Sequence, residues 1–248
     1  MRVVRDDPAS PDPGFAELYA ALPYEQDLEP WLGLARTAKP PVLYLGIGSG
    51  RLAVPLAKAG VELVGVDAHP GMLSVLRERL PGLSVIQARI ENLRLDERFD
   101  LVIAPSHVLS TLSRLKPAIR HLGPGGRLAF ELINPHWLDA GASPGVRVLK
   151  RSRTAAVMEV DYTTGHTHAA RLALIWPEEV EGWLATAGLR LLRLAGGANQ
   201  DLATSPTFHV LASIKADASQ RRSGARGRAR RQRARQPVSG TRTAGRAP

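Results

Sequence analysis

Residues 42–52 read VLYLGIGSGRL and join a short apolar strand directly to a glycine-rich turn and the start of a helix. The three glycines, Gly46, Gly48 and Gly50, let the backbone turn tightly, and the N-terminus of the following helix favours negative charge. A strand that runs into such a turn is typical of α/β proteins that bind a nucleotide at the carboxyl edge of a parallel sheet. The segment therefore predicts both a fold class and the place of a ligand.

The rest of the chain alternates between the two kinds of element. Strands are predicted over 42–45, 61–66, 83–87, 99–104 and 127–133, and helices over 15–22, 25–38, 51–59, 71–80 and 109–122, the second of which could begin at Pro30. Because strands separated by helices run parallel, this order predicts a doubly wound, Rossmann-like sheet.

The pattern changes after residue 145. Three consecutive strands over 146–153, 156–162 and 168–175 predict a small antiparallel β-meander inserted into the domain. A helix over 177–187 then precedes a terminal antiparallel strand pair over 189–194 and 207–215. The expected fold is α/β, with a seven-stranded sheet that ends in this antiparallel pair.

The net charge of +10 on the 248-residue chain is concentrated at one end. Residues 219–248 hold ten Arg and no acidic residue, so the remaining 23 basic and 23 acidic side chains leave the body neutral. With almost no apolar side chains, this tail is predicted to be disordered.

The predicted organisation is an irregular lead-in over 1–14, a domain over 15–218 and the Arg-rich tail. An arm for nucleic acid is one interpretation of the tail and a solvated appendage is another.

Composition excludes several classes of protein. The chain has no Cys, so it has no disulfide, no Cys-ligated metal centre and no thiolate nucleophile. No apolar run reaches the roughly 18 residues of a membrane span, and no secretory signal is visible, so a cytoplasmic location without membrane contact is expected. No metal site is predicted, since His166 and His168 alternate across a strand start and are expected on the surface of the meander.

The glycine pattern alone leaves two ligands open. Gly46-x-Gly48-x-Gly50 fits an S-adenosylmethionine (SAM) site, whereas Gly48-x-Gly50-x-x-Ala53 fits a dinucleotide site. Asp67 ends the second predicted strand 19 residues after Gly48, where an acidic side chain can accept hydrogen bonds from both ribose hydroxyls. Either ligand contains such a ribose.

Four ordered motifs resemble those of the class I SAM-dependent methyltransferases. They are residues 42–52, 64–73 (VGVDAHPGML), 99–107 (FDLVIAPSH) and 121–128 (HLGPGGRL), and the resemblance extends over about 15–215. It implies a Rossmann-like fold, SAM as the cofactor and methyl transfer as the reaction.

The resemblance also implies which positions contact the cofactor. They are Gly46, Ile47, Gly48, Ser49 and Gly50 under the methionine part, Asp67 at the ribose, Ala68 and Met72 beside the adenine, Arg89 and Ile90 at the adenine edge, and Ala104 beside the sulfonium.

Two positions depart from the family pattern. Tyr44 stands where the family commonly has an acidic residue that binds the cofactor's ammonium group. Arg89 stands where an Asp often accepts the adenine amino group, and Arg has no acceptor; Glu91 is the nearest residue that could compensate. These departures motivate a non-catalytic SAM-binding module as one alternative.

Two histidines are the candidate catalytic bases. His107 follows Ala104 by three residues, just past the carboxyl end of the fourth predicted strand, and His136 follows the fifth. We expect methyl transfer to nitrogen or oxygen of a small-molecule acceptor, with the meander as a substrate arm. Two alternative functions are a nucleic-acid methyltransferase and a nicotinamide-dependent oxidoreductase. The first would use the basic tail and is less favoured than a small-molecule methyltransferase.

Overall fold

A computed structural model of the chain describes residues 1–5, 7, 10–197 and 201–215. The strands of this part are β1 (Arg2–Arg5), β2 (Val42–Leu45), β3 (Leu63–Asp67), β4 (Ser84–Gln87), β5 (Phe99–Ala104), β6 (Leu122–Ile133), β7 (Val146–Arg151), β8 (Ala155–Asp161), β9 (His166–Ala173), β10 (Leu189–Gly196) and β11 (Thr207–Ile214). The helices are α1 (Pro13–Ala21), α2 (Trp31–Ala35), α3 (Ala53–Lys58), α4 (Pro70–Arg79), α5 (Leu112–Ile119), α6 (Pro135–Asp139) and α7 (Val180–Thr186), with 3-10 turns at Ile90–Asn92 and Pro177–Glu179.

The main sheet has seven strands in the order β10-β11-β6-β5-β2-β3-β4. The five strands from β6 to β4 are parallel to one another, and β11 runs antiparallel to both of its neighbours. The predicted α/β fold with its terminal antiparallel pair is confirmed.

Strand β2 lies in the middle of this sheet and is buried on both faces. Leu43 faces a cluster that includes Leu115 of α5, whereas Tyr44 faces a second cluster with Leu56 of α3 and Leu73 of α4. Because successive side chains of a strand point to opposite faces, a continuous apolar run of this kind requires helices on both sides. The doubly wound arrangement follows from that requirement.

Two predicted boundaries change, at the start of β6 and of α5, and the alternative start of the second helix at Pro30 agrees with the structure. The turn at 123–126 lies inside β6, because β6 pairs with β5 on both sides of it and the register shifts between Phe99 and Leu101. Helix α5 begins at Leu112, since a loop with positive φ at Ser106 and His107 follows β5. Helix α2 begins at Trp31, directly after Pro30.

The predicted meander over β7, β8 and β9 is confirmed as an antiparallel sheet. The prediction of an irregular segment over 1–14 is wrong, because β1 adds to this sheet as a parallel partner of β9. Val4 of β1 is fully buried against Phe15 and Leu18 of α1. The partner of β1 lies some 160 residues away, so local sequence gave no sign of it.

Two further expectations concern other parts of the chain. The Arg-rich tail at 219–248 lies outside the described residues. Within the described ranges, no helix has the length and hydropathy of a membrane span, and no group of three or more His, Asp or Glu side chains is arranged to hold a metal ion.

His168 was expected on the surface of the meander, and that prediction is wrong. Its ring lies 4.9 Å from the ring of Phe15 and 6.4 Å from that of Tyr19, where β9 packs on α1. Its Nε2 atom is buried and has no hydrogen-bond partner in the described part of the chain. Burial disfavours the charged imidazolium and lowers the pKa of His168 to about 4.

We predict that His168 makes the fold sensitive to acid. An unfolded His titrates near pH 6.5, so its stabilising contribution is complete above that value and is lost as pH falls toward 4. His168→Phe should keep the aromatic contact and reduce the loss of unfolding free energy between pH 6.5 and 4.5 by roughly 1–2 kcal/mol.

Urea denaturation at several pH values measures this difference. His166→Gln, on the same strand, is the matched control and should follow the wild type. A His168→Phe variant with the same acid slope as the wild type would contradict the prediction.

Candidate active site

A narrow cleft lies at the carboxyl ends of β2, β3 and β4, the edge at which open α/β sheets bind ligands. Its volume is about 70 Å³, and its lining consists of Gly46, Asp67, Ala68, Ala88, Arg89, Ile90, Glu91, Val108 and Arg114. Five of these residues belong to the set predicted from the sequence: Gly46, Asp67, Ala68, Arg89 and Ile90.

Asp67 holds the glycine turn in place. The backbone N–H of Gly48 donates to its Oδ2 at 2.8 Å, and the N–H of His69 donates to its Oδ1 at 2.8 Å. Burial raises the pKa of Asp67, and these two N–H donors oppose that rise. Each oxygen keeps lone pairs that can accept further hydrogen bonds from a ligand.

The turn itself requires glycine for two different reasons. Gly46 has a φ of +73° and Gly48 a φ of +58°, a left-handed conformation that other residues rarely adopt. A β-carbon on Gly46 would also lie 2.9 Å from Cγ1 of Val108, which belongs to the loop after β5. That loop therefore packs directly on the turn.

Glu91 supplies the acceptor that Arg89 lacks at this edge of the cleft. Its Oε1 accepts a hydrogen bond from Nε of Arg114 at 2.9 Å, while Oε2 lies 4.0 Å from Nε of Arg89. Burial acts to raise the pKa of Glu91, but the bond from Arg114, a backbone hydrogen bond and the charges of Arg114 and Arg89 together lower it below its usual value. Glu91 is consequently an ionised acceptor in the cleft.

Other predicted cofactor residues lie behind the cleft. Ile47 is buried and packs over Gly65 of β3. The Ser49 hydroxyl donates to the carbonyl of Tyr19 at 3.2 Å, which ties the turn to α1. Gly50, with a φ of +88°, lies close to Leu76 of α4.

Met72 and Ala104 are also outside the cleft lining. Met72 is buried in the cluster that joins α1 to Val4, and Ala104 is fully buried at the end of β5. Their predicted contacts with the cofactor stay predictions.

His107 lies beside a buried carboxylate that the sequence reasoning missed. Its Nδ1 is 3.6 Å from Oε1 of Glu131, while Oε2 of Glu131 accepts a hydrogen bond from the Thr207 hydroxyl at 3.1 Å and lies 3.4 Å from Nε2 of His209. Burial acts to raise the pKa of Glu131, but His209, His107 and Thr207 lower it below its usual value. The sequence did carry a signal for this residue, since Glu131 is the one acidic residue in the largely apolar strand RLAFELI (127–133).

Strand register places this carboxylate near the glycine turn. Tyr44 of β2 pairs with Ile103 of β5, which pairs with Ala129 of β6. Gly46 lies two residues after Tyr44, and Glu131 lies two residues after Ala129. The backbones of Gly46 and Glu131 are therefore about 10 Å apart, which is two spacings between neighbouring strands. Tyr44 is buried, and its pKa is raised by that burial together with the nearby charges of Glu131 and Asp67, which keeps the phenol neutral.

His136, the second candidate base, has a different environment. It lies on α6, its Nε2 is 3.1 Å from Oε2 of Glu178, and its ring lies 4.9 Å from that of Trp176. Both partners precede α7, and neither His136 nor His107 belongs to the cleft lining. The structure therefore brings His107, and not His136, beside Glu131.

Comparison with known proteins agrees with this geometry. Residues 42–126 match a family model described as a methyltransferase domain. This match identifies residues 42–126 as a methyltransferase domain.

Curated relatives match this chain over part of their length. An uncharacterized methyltransferase of Mycobacterium tuberculosis is 36 % identical over 92 residues, which are 36 % of this chain and 38 % of the relative. A demethylmenaquinone methyltransferase of Paenarthrobacter aurescens is 28 % identical over 63 % of this chain and 66 % of its own. The chain thus spans less than half the length of the mycobacterial relative.

Solved structures share the fold. The CcbJ methyltransferase from Streptomyces caelestis has a TM-score of 0.58 and 24 % identity, over 85 % of this chain and 93 % of its own. The glycopeptide N-methyltransferase MtfA in complex with SAM has a TM-score of 0.56 and 19 % identity, over 83 % and 95 %.

The contact between Val108 and the glycine turn predicts unequal losses of unfolding free energy for two Gly→Ala changes. Gly46 and Gly60 both have positive φ, but nothing lies within 4 Å of a β-carbon on Gly60. Gly60→Ala should lose about 1–2 kcal/mol from backbone strain alone. Gly46→Ala should lose a further 1–3 kcal/mol, roughly, from overpacking.

Urea denaturation measures both variants. Adding Val108→Ala to Gly46→Ala should recover the overpacking part. Equal losses for Gly46→Ala and Gly60→Ala would mean that Val108 does not pack on the turn.

Proposed function

We propose that this chain binds SAM in the cleft at the glycine turn and transfers its methyl group to nitrogen or oxygen of a small molecule. The observation that carries the proposal is that Asp67 and Glu91 line the cleft, while the His107–Glu131 pair lies in the loop after β5 and near the carboxyl end of β6. Ligand-binding groups and a candidate base thereby lie at the ends of neighbouring strands.

The residues of the cleft fit the parts of SAM. Asp67 has free lone pairs for the two ribose hydroxyls, and Glu91 is an ionised acceptor for the adenine amino group. The absence of a side chain at Gly46 leaves a cradle for the methionine part once Val108 moves off the turn. Because the cleft holds about 70 Å³, binding requires this movement of the loop after β5.

The bound cofactor would supply a methyl carbon on a positively charged sulfur, which a lone pair can displace directly. The protein's task is to align the acceptor, exclude water and remove one proton. His107 accepts that proton from a hydroxyl or an ammonium group, and the Glu131 carboxylate stabilises the resulting imidazolium. Thr207 and His209 hold the carboxylate in turn.

The comparisons favour small acceptors. MtfA is a glycopeptide N-methyltransferase and CalS10 an amino pentose methyltransferase. The relatives include a demethylmenaquinone methyltransferase and a ubiquinone biosynthesis O-methyltransferase. We assign residues 15–218 to the catalytic domain and 146–175 to its substrate arm. The basic tail, through which nucleic acid would bind, falls outside the described residues.

Asp67→Ala should reduce SAM affinity by at least about tenfold, because two charge-assisted bonds to the ribose are lost. The variant also frees the N–H groups of Gly48 and His69, so we expect some loss of stability as well. Calorimetry with SAM, well below the melting temperature, measures the affinity. The exposed Asp96→Ala is the control, and unchanged affinity in folded Asp67→Ala would rule out this placement of the cofactor.

His107→Ala should lower turnover by about 10²–10⁴ with little change in SAM affinity if the acceptor must lose a proton. His136→Ala should keep the wild-type rate, since Glu178 and Trp176 hold that ring elsewhere. Transfer of labelled methyl from SAM into a cell extract measures both rates. A normal rate in His107→Ala would remove the histidine from the reaction.

A further inference from the structure

A second and larger cavity lies on the face of the main sheet that α2 covers. Its volume is about 620 Å³, within the range of small-molecule sites. Helix α2 and the residues before it form one side, and β6, β11 and β10 form the other. Its lining shares no residue with the cleft at the glycine turn.

Most of this lining is apolar, including Leu34, Ala129 and Leu211, and the Trp31 ring lies at its helix side. The ring of Trp31 meets that of His209 edge-on at 5.2 Å. An apolar interior with few polar groups is the usual composition of a site that encloses an organic ligand.

Charged groups stand on both sides of the cavity. Asp27 and Glu29 are exposed on the helix side, and Arg193 is exposed on β10. Within the described ranges, none of these three forms an ion pair with another protein residue. Oδ1 of Asp27 accepts from the N–H of Glu29 at 3.0 Å, and Oε2 of Glu29 accepts from the N–H of Gly33 at 3.2 Å. Each carboxylate is thus held through one oxygen, and its other oxygen is available.

We propose that this cavity binds an amino-acid-like zwitterion with an apolar body. Its ammonium group pairs with Asp27 and Glu29, its carboxylate pairs with Arg193, and its body fills the apolar interior beside Trp31. A simple amine would leave Arg193 unpaired, and a simple acid would face two carboxylates. The proposal goes beyond the proposed function and does not depend on it, since the cavity shares no lining residue with the cleft proposed for SAM.

The cavity also touches the candidate active site. His209 belongs to its lining, and its Nε2 lies 3.4 Å from Glu131, the carboxylate that is 3.6 Å from His107. These three side chains form a row across β11, β6 and the loop after β5. A ligand in the cavity therefore contacts His209, one end of the half-buried row of side chains that includes the candidate base.

Calorimetry without SAM tests the site, with L-phenylalanine and L-leucine as probes and phenethylamine and 3-phenylpropionate as single-charge counterparts. At least one amino acid should bind at least about fivefold more tightly than either counterpart. Arg193→Gln should weaken amino-acid binding, as should the double change Asp27→Asn with Glu29→Gln. Arg36→Gln and Glu62→Gln, exposed charges outside the lining, are matched controls that should leave it unchanged.

NMR of the histidine rings locates the bound probe. The His209 signal, assigned with His209→Gln, should shift on addition of the amino acid, and the His166 signal should not. Absence of amino-acid binding up to about 10 mM, equal binding of phenethylamine, or binding without a shift of His209 would each overturn the proposal. Loss of SAM binding in the same protein would overturn the proposed function and leave this result standing.

Discussion

The carboxylate of Asp67 joins two elements on which the site depends. It ends β3 and accepts the N–H of Gly48, so the end of one strand is fixed against the turn that follows another. A buried carboxylate satisfied by backbone donors costs far less than an unpaired one, and it holds those donors in a single orientation. The position of the glycine turn relative to β3 therefore follows from this side chain together with the N–H groups of Gly46 and Ile47, which donate to the carbonyl of Val66.

The N-terminal segment locks the other side of the same turn. Arg79 of α4 donates to the carbonyls of Ser49 and Ala20, and Arg51 binds the carbonyl of Pro23 and the carboxylate of Glu25. These bonds cover backbone carbonyls that would otherwise need water or another donor. Helix α1 in turn packs against β1, which pairs with β9. The first 25 residues therefore attach the meander sheet to the edge of the main sheet at which the glycine turn lies.

Glu131 has a comparable role at the centre of the sheet. Its side chain lies on the same face of the sheet as Tyr44, and its partners come from two parts of the chain, the loop after β5 and β11. A carboxylate in such a place is stable only while its histidine and hydroxyl partners stay together. This mutual dependence couples the loop after β5 to β11, and through His209 to the second cavity.

The parts of this protein that are encoded within contiguous stretches could be predicted from the sequence alone. The strand, turn and helix of residues 42–58, Asp67 at the end of the next strand and the order of the main elements all follow from local spacing and apolar pattern. Three contacts could not be predicted in this way and are seen only in the folded chain. Strand β1 pairs with β9, Arg114 donates to Glu91, and His107 rather than His136 lies beside Glu131. Each of these contacts joins residues that are far apart in the chain, and hydrophobic periodicity carries no information about which distant side chains meet once the sheet has formed.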